Sequence, residues 1–142
     1  MVTVTPNLHF NGCCEEAMSL YKKTFGSDGG FMLRWSESDP KDFSEPLTND
    51  QKNYIYHAEM YIGNQRIMMS DKLVPDDCDN VNDSFLTVTF ESAGEVNAAF
   101  DTMKENCVII HPPRRTTYSS RTVNFIDRFG KRWTFMTEQT EK

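Results

Sequence analysis

A histidine and a glutamate stand two residues apart in an alternating stretch, as His57 and Glu59. In an extended strand, residues two apart project from the same face, so this imidazole and carboxylate would lie side by side. Such a pair can move a proton near neutral pH, because the ordinary pKa of histidine is about 6.5. His57 and Glu59 are therefore the catalytic candidates, and both also count as candidate ligand contacts. With His9 they make two imidazoles and one carboxylate, a set that iron and zinc accept. The competing structural reading makes His57 a framework residue bonded to Ser70 or a carbonyl, with Glu59 and Arg66 as a diagonal ion pair.

The stretch that carries them, 54–71, reads as a hairpin. Two alternating runs flank Gly63-Asn64, a dipeptide suited to a two-residue turn. That turn would pair Tyr61 with Arg66, Met60 with Ile67, Glu59 with Met68, Ala58 with Met69, and His57 with Ser70. One face then holds Ala58, Met60, Ile62, Ile67 and Met69 and belongs to a core. The other holds His57, Glu59, Tyr61, Arg66, Met68 and Ser70. A face so polar, yet interrupted by Met and Tyr, suits the wall of a wet pocket.

Other reactive residues carry less. Cys13 and Cys14 open a helix whose dipole can activate a thiol; the competing reading packs Cys14 and leaves Cys13 a weak cap. Arg114-Arg115, after Pro112-Pro113, can clamp an anion, though a solvated loop is the preferred reading. Trp35, Tyr61 and Trp133 can stack on an aromatic or planar ligand, but aromatics in strands usually fill cores, which singles out Tyr61 on the polar face. Asp76-Asp77-Cys78-Asp79 lacks the Gly and closing Glu of a calcium loop. The sequence shows neither a nucleophile elbow nor a phosphate-binding Gly loop.

These residues need elements to position them. Thr3–Phe10 alternates as a strand, with Pro6 marking an edge or a break. Cys13–Phe25 has a helical stripe of Ala17, Leu20, Tyr21 and Phe25, with Gly26 as its stop. Gly30–Trp35 reads as a short strand, and 36–53 as a mobile loop. After the hairpin comes an acidic linker, then a strand over Phe85–Phe90. Ser92 and Glu95 have capping-box spacing and open a helix expected to run to Asn106. A strand begins at Val108, 111–121 looks irregular, and strands follow at Thr122–Asp127 and Arg132–Thr137. Strand, helix and three strands thus occur twice, giving an α+β domain built by internal duplication.

Composition limits the partners. The chain has 142 residues and a formal net charge of −6, which disfavours nucleic acid and anionic membranes. No apolar run approaches the ~20 residues of a membrane span, and the N-terminus lacks a signal-peptide pattern. Four cysteines without C-x-x-C spacing read as reduced thiols in a cytoplasmic protein.

Three segments resemble one family. Asn7–Gly26 is similar to the opening of PhnB-like proteins, with a strand, an Asn/Gly turn, Cys, Glu-Ala, Tyr and Phe-Gly. His57-Ala58-Glu59 through Ser70-Asp71 resembles that family's central hairpin. Asp127-Arg128-Phe129-Gly130-Lys131-Arg132-Trp133 resembles its closing Asp-x-Phe-Gly-x-x-Trp. PhnB-like proteins form a branch of the glyoxalase/bleomycin resistance/dioxygenase (vicinal oxygen chelate) superfamily. The resemblance implies one domain over 1–142, with two βαβββ modules (about 1–75 and 84–140, joined by 76–83) in an open barrel completed in a homodimer. Branch members often carry a demethylubiquinone-methyltransferase label, but this chain has no Gly-rich strand-turn-helix for S-adenosylmethionine.

The superfamily often holds a divalent metal through His, Glu or Gln on first strands and Glu on last strands. Those positions fall here at Asn7 (or His9, with a shifted register), Phe85 and Thr134. None of Asn7, Phe85 and Thr134 suits a first-row metal, so no cofactor is expected, a divalent metal through His9, His57 and Glu59 being the alternative. In this fold another strand separates His9 from His57. The functional expectation is a protein that binds a small molecule in a dimeric cleft lined by Asn7, His9, His57, Glu59, Tyr61, Met68, Ser70 and Thr134. The alternative is a metal-dependent or acid/base lyase, isomerase or transferase using His57 and Glu59.

Overall fold

The computed structural model describes residues 1–74 and 83–138, and the chain divides into two compact units, Met1–Asp77 and Cys78–Lys142. The run Asp76-Asp77-Cys78-Asp79 lies outside the described residues. In the first unit, β1 (Asn7–Phe10) leads to α1 (Cys14–Phe25), β2 (Phe31–Arg34), a short α2 (Asn49–Asn53), β3 (Ile55–Ile62) and β4 (Gln65–Asp71). The sheet order is β1-β4-β3-β2. β1 runs parallel to β4, and the other pairs are antiparallel.

The hairpin forms as its alternation requires. Ala58 pairs with Met69, Glu59 with Met68, Met60 with Ile67 and Tyr61 with Arg66, around a turn in which Gly63 has a φ of 58°. Ala58, Met60, Ile67 and Met69 are buried against Ala17, Met18, Leu20 and Tyr21 of α1 in the core of this unit. Glu15 and Glu16 lie in the first turn of the helix and Lys22 and Lys23 in its last, and left-handed Gly26 ends it. Both arrangements follow the peptide dipoles and the freedom of glycine at positive φ.

The second unit repeats the plan. β5 (Leu86–Phe90), α3 (Ala93–Met103), β6 (Val108–Thr116), β7 (Ser119–Ile126) and β8 (Arg132–Thr137) form a sheet of order β5-β8-β7-β6, again with its first strand parallel to its last. Trp133, Phe135, Val123 and Phe125 are buried with Val96, Phe100 and Met103. Ser92 caps α3 by accepting the Glu95 N–H at 3.2 Å. The chain is therefore α+β, with two βαβββ modules.

Four expectations need correction. β1 starts at Asn7 rather than Thr3, because Pro6 can contribute only its carbonyl, which accepts the Met68 N–H. Residues 36–53 are not one loop: 3-10 turns at Trp35–Glu37 and Pro40–Asp42 precede α2, which Thr48 caps reciprocally with Gln51. Elements this short show no hydrophobic period, so only their caps mark them. Residues 111–121 are largely extended, since β6 reaches Thr116 and β7 begins at Ser119. β6 is an edge strand with register shifts, where Pro112 and Pro113 forfeit no necessary ladder bond. α3 stops at Met103 rather than Asn106, which has a φ of 57°.

Candidate functional site

The face of the first sheet opposite α1 can be built row by row. Register places Asn7, Met68, Glu59 and Phe31 across the four strands. The next row sets His9 beside Ser70, and His57 beside Leu33. Side chains of paired residues share a face, so six of the first unit's site candidates join Phe31 and Leu33 on one surface. Tyr61 and Arg66 extend it toward the turn.

One ionic network organises this face. The Arg66 Nε donates to Glu59 Oε1 at 2.5 Å, and its Nη2 donates to Oε2 at 2.8 Å. His57 Nε2 lies 2.8 Å from the same Oε2. The guanidinium first, and then the imidazole, hold the Glu59 carboxyl down to about 2. Glu59 is thus a permanent anion near neutral pH and cannot serve as a general acid. His57 is bonded to Glu59, rather than to Ser70 or a carbonyl as the structural reading expected. The diagonal ion pair with Arg66, in contrast, is present.

His9 does not join them. β4 lies between its strand and that of His57, and His9 pairs with Ser70. Among the described residues no group of three or more His, Cys, Asp or Glu is placed to hold a metal ion. The positions implied by the superfamily fit one no better. Asn7 offers an exposed amide. Phe85 has no donor and carries the Arg132 guanidinium 4.3 Å above its ring, a charge that repels a dication. Thr134, in the second unit, accepts from Asn124 Nδ2 at 2.5 Å.

The described thiols are quiet. Cys14 is fully buried, and Cys13 makes no side-chain cap. Burial pushes the Cys13 and Cys107 thiols up, opposite to what a reactive thiolate needs.

Sequence reasoning missed four residues, two in each unit. Phe31 is 51% exposed, with its ring 5.8 Å from that of His57; a short strand gave no register, so its neighbour stayed hidden. Asp71 is buried, and its Oδ1 accepts from the Gly12 and Cys14 N–H groups while Oδ2 accepts from Ile55. The alternation does place Asp71 on the core face after Ile67 and Met69, which was the available signal. In the second unit, Asn124 and Arg132 repeat the geometry of Glu59 and Arg66. Arg132 Nε donates to Asn124 Oδ1 at 3.1 Å, and the two residues are offset across β7 and β8 as Glu59 and Arg66 are across β3 and β4.

No family model matches the chain, and no curated protein matches its sequence. Solved structures do. The PA1353 protein of Pseudomonas aeruginosa is 27% identical, with a TM-score of 0.81 over 97% of this chain and 98% of that one. A PhnB protein from Bacillus cereus is 23% identical, with a TM-score of 0.77 over 96% and 99%. A glyoxalase/bleomycin resistance protein/dioxygenase domain from Frankia is 10% identical, with a TM-score of 0.66 over 100% and 95%.

Proposed function

We propose, from the premise that this chain has the glyoxalase/bleomycin resistance fold and resembles the PhnB-like branch of the vicinal oxygen chelate superfamily, that it binds a small molecule without the superfamily's metal. The observation that carries this reading is the state of Glu59. Both of its oxygens are engaged by Arg66 and His57, so a metal would have to displace a guanidinium to reach them. What remains for a ligand is an organised polar surface bordered by the exposed aromatics Phe31 and Tyr61. Such a mixture of apolar walls and a few fixed polar groups is typical of ligand sites.

The resemblance further supports a homodimer, and the acidic balance and thiol-bearing composition support a cytoplasmic protein without nucleic-acid partners. No described helix is long and apolar enough to cross a membrane.

A second reading has one specific observation in its favour. The 2.8 Å contact between His57 and Glu59 orients an imidazole as a carboxylate does in acid/base dyads, which suits a lyase, isomerase or transferase. The deciding experiment combines elemental analysis of the purified protein with thermal shift in Mn, Fe, Ni and Zn and in a panel of aromatic compounds. Stabilisation by an aromatic compound in metal-free protein supports binding. Stoichiometric metal that is lost in His57→Ala would overturn it.

A further inference from the structure

The network around Glu59 also fixes which hydrogen-bonding group the face offers, an inference that rests on the small-molecule reading above. A carboxylate gripped by a guanidinium on both oxygens is an acceptor only. The hydrogen between Glu59 Oε2 and His57 Nε2, 2.8 Å apart, must therefore sit on the imidazole. A neutral imidazole protonated at Nε2 carries its lone pair on Nδ1. Among the described residues no hydrogen bond reaches that Nδ1, and the His57 side chain is 34% exposed. The Phe31 ring flanks His57 at 5.8 Å, and the Tyr61 ring is exposed at the turn end of the same strand.

An acceptor beside aromatic surface selects a complementary ligand. We propose that this face takes a planar aromatic ligand bearing a hydroxyl or imide N–H, which donates its hydrogen bond to Nδ1 of His57. Glu59 is a positioning residue here: it holds the imidazole tautomer and does not touch the ligand. Arg66, in turn, keeps Glu59 an acceptor. A ligand of the same shape without the donor leaves Nδ1 unsatisfied, and sites built around a hydrogen bond reject such analogues.

Two measurements test this. Nitrogen-15 NMR of the free protein reads the tautomer of His57, and the expected result is a hydrogen on Nε2. Binding of 4-methylphenol and of 4-methylanisole, followed by amide shifts on β2, β3 and β4, reads the selectivity. 4-Methylphenol, which keeps its O–H at the pH where an imidazole is neutral, should bind about tenfold more tightly, the worth of one hydrogen bond. His57→Phe, checked for an unchanged melting profile, should erase that preference while both probes still bind. A hydrogen on Nδ1 in the free protein overturns the proposal, as does equal binding of the two probes. Equal binding would leave the small-molecule reading standing. If neither probe moved these strands, both readings would fall.

Discussion

Replacing Asp71 tests how the first unit holds its ligand face in register. This carboxylate is 2% exposed, and it ties together the starts of α1 and β3 from the end of β4. Its Oδ1 accepts from Gly12 N at 2.9 Å and Cys14 N at 3.0 Å, and its Oδ2 accepts from Ile55 N at 2.8 Å. Gly12 is exposed, so water can replace the lost acceptor there. The bonds to Cys14 and Ile55 are buried, and Asp71→Ala would orphan both donors at roughly 1–3 kcal/mol each. With the void left behind, the expected loss is about 3–5 kcal/mol, a large share of the ~5–15 kcal/mol that stabilises ordinary domains. Asp71→Asn keeps one oxygen for α1 but turns an amide N–H toward Ile55 N–H, so it should lose less, about 1–3 kcal/mol. Urea unfolding followed by tryptophan fluorescence gives both numbers, because Trp35 donates to the Asp71 carbonyl at 3.1 Å. A loss below about 1 kcal/mol in Asp71→Ala, or a greater loss in Asp71→Asn, would refute the reasoning.

Three further outcomes are expected. In Arg66→Ala the Glu59 carboxyl should titrate well above its present value of about 2, as read by carbon-13 NMR. Because its folded pKa is depressed, Glu59 contributes stability that is fully present above the ordinary 4.5 and lost as pH falls toward 2; the stability gap between wild type and Arg66→Ala should close over that window. Gly30→Ala should cost at least about 2 kcal/mol in thermal or urea unfolding, since Gly30 has a φ of +111° and an added Cβ would lie 2.1 Å from the Glu59 carbonyl oxygen. Trp133→Phe should cost about 1–3 kcal/mol beyond its lost packing, because it strips the buried Asp127 Oδ2 of the indole N–H at 2.9 Å; Asp127→Ala with Trp133→Phe, compared in a double-mutant cycle, should be less than additive.

Much of the fold was legible because its strands alternate strongly around clear turns. The hairpin of β3 and β4 could be paired residue by residue, since Gly63-Asn64 fixes a register that a one-residue slip would invert. Asp127-Arg128-Phe129-Gly130-Lys131-Arg132-Trp133 was visible only as a pattern. Its spacing has a physical cause: Asp127 accepts from the N–H groups of Phe129 and Lys131 and from the Trp133 indole. The short turns before β3 were illegible because they bury little and have no period. For the site, strand neighbours within the hairpin could be read, and so His57, Glu59, Tyr61, Met68 and Ser70 fell on one face. Phe31 required a pairing between β2 and β3 that crosses more than twenty residues of chain, and local pattern does not encode such a contact.

The repeated diagonal between a guanidinium and its cross-strand acceptor has a use outside any ligand. Glu59 and Arg66 form the contact with two full charges, while Asn124 and Arg132 form it with one. Nature has thus set a doubly charged and a singly charged version of one contact into the same chain, at matching places in two copies of one module. Added salt reaches both at once, and only the doubly charged version should soften with the shortening Debye length. A molecule with that arrangement carries its own reference: one half reports the ionic strength, and the other calibrates the report.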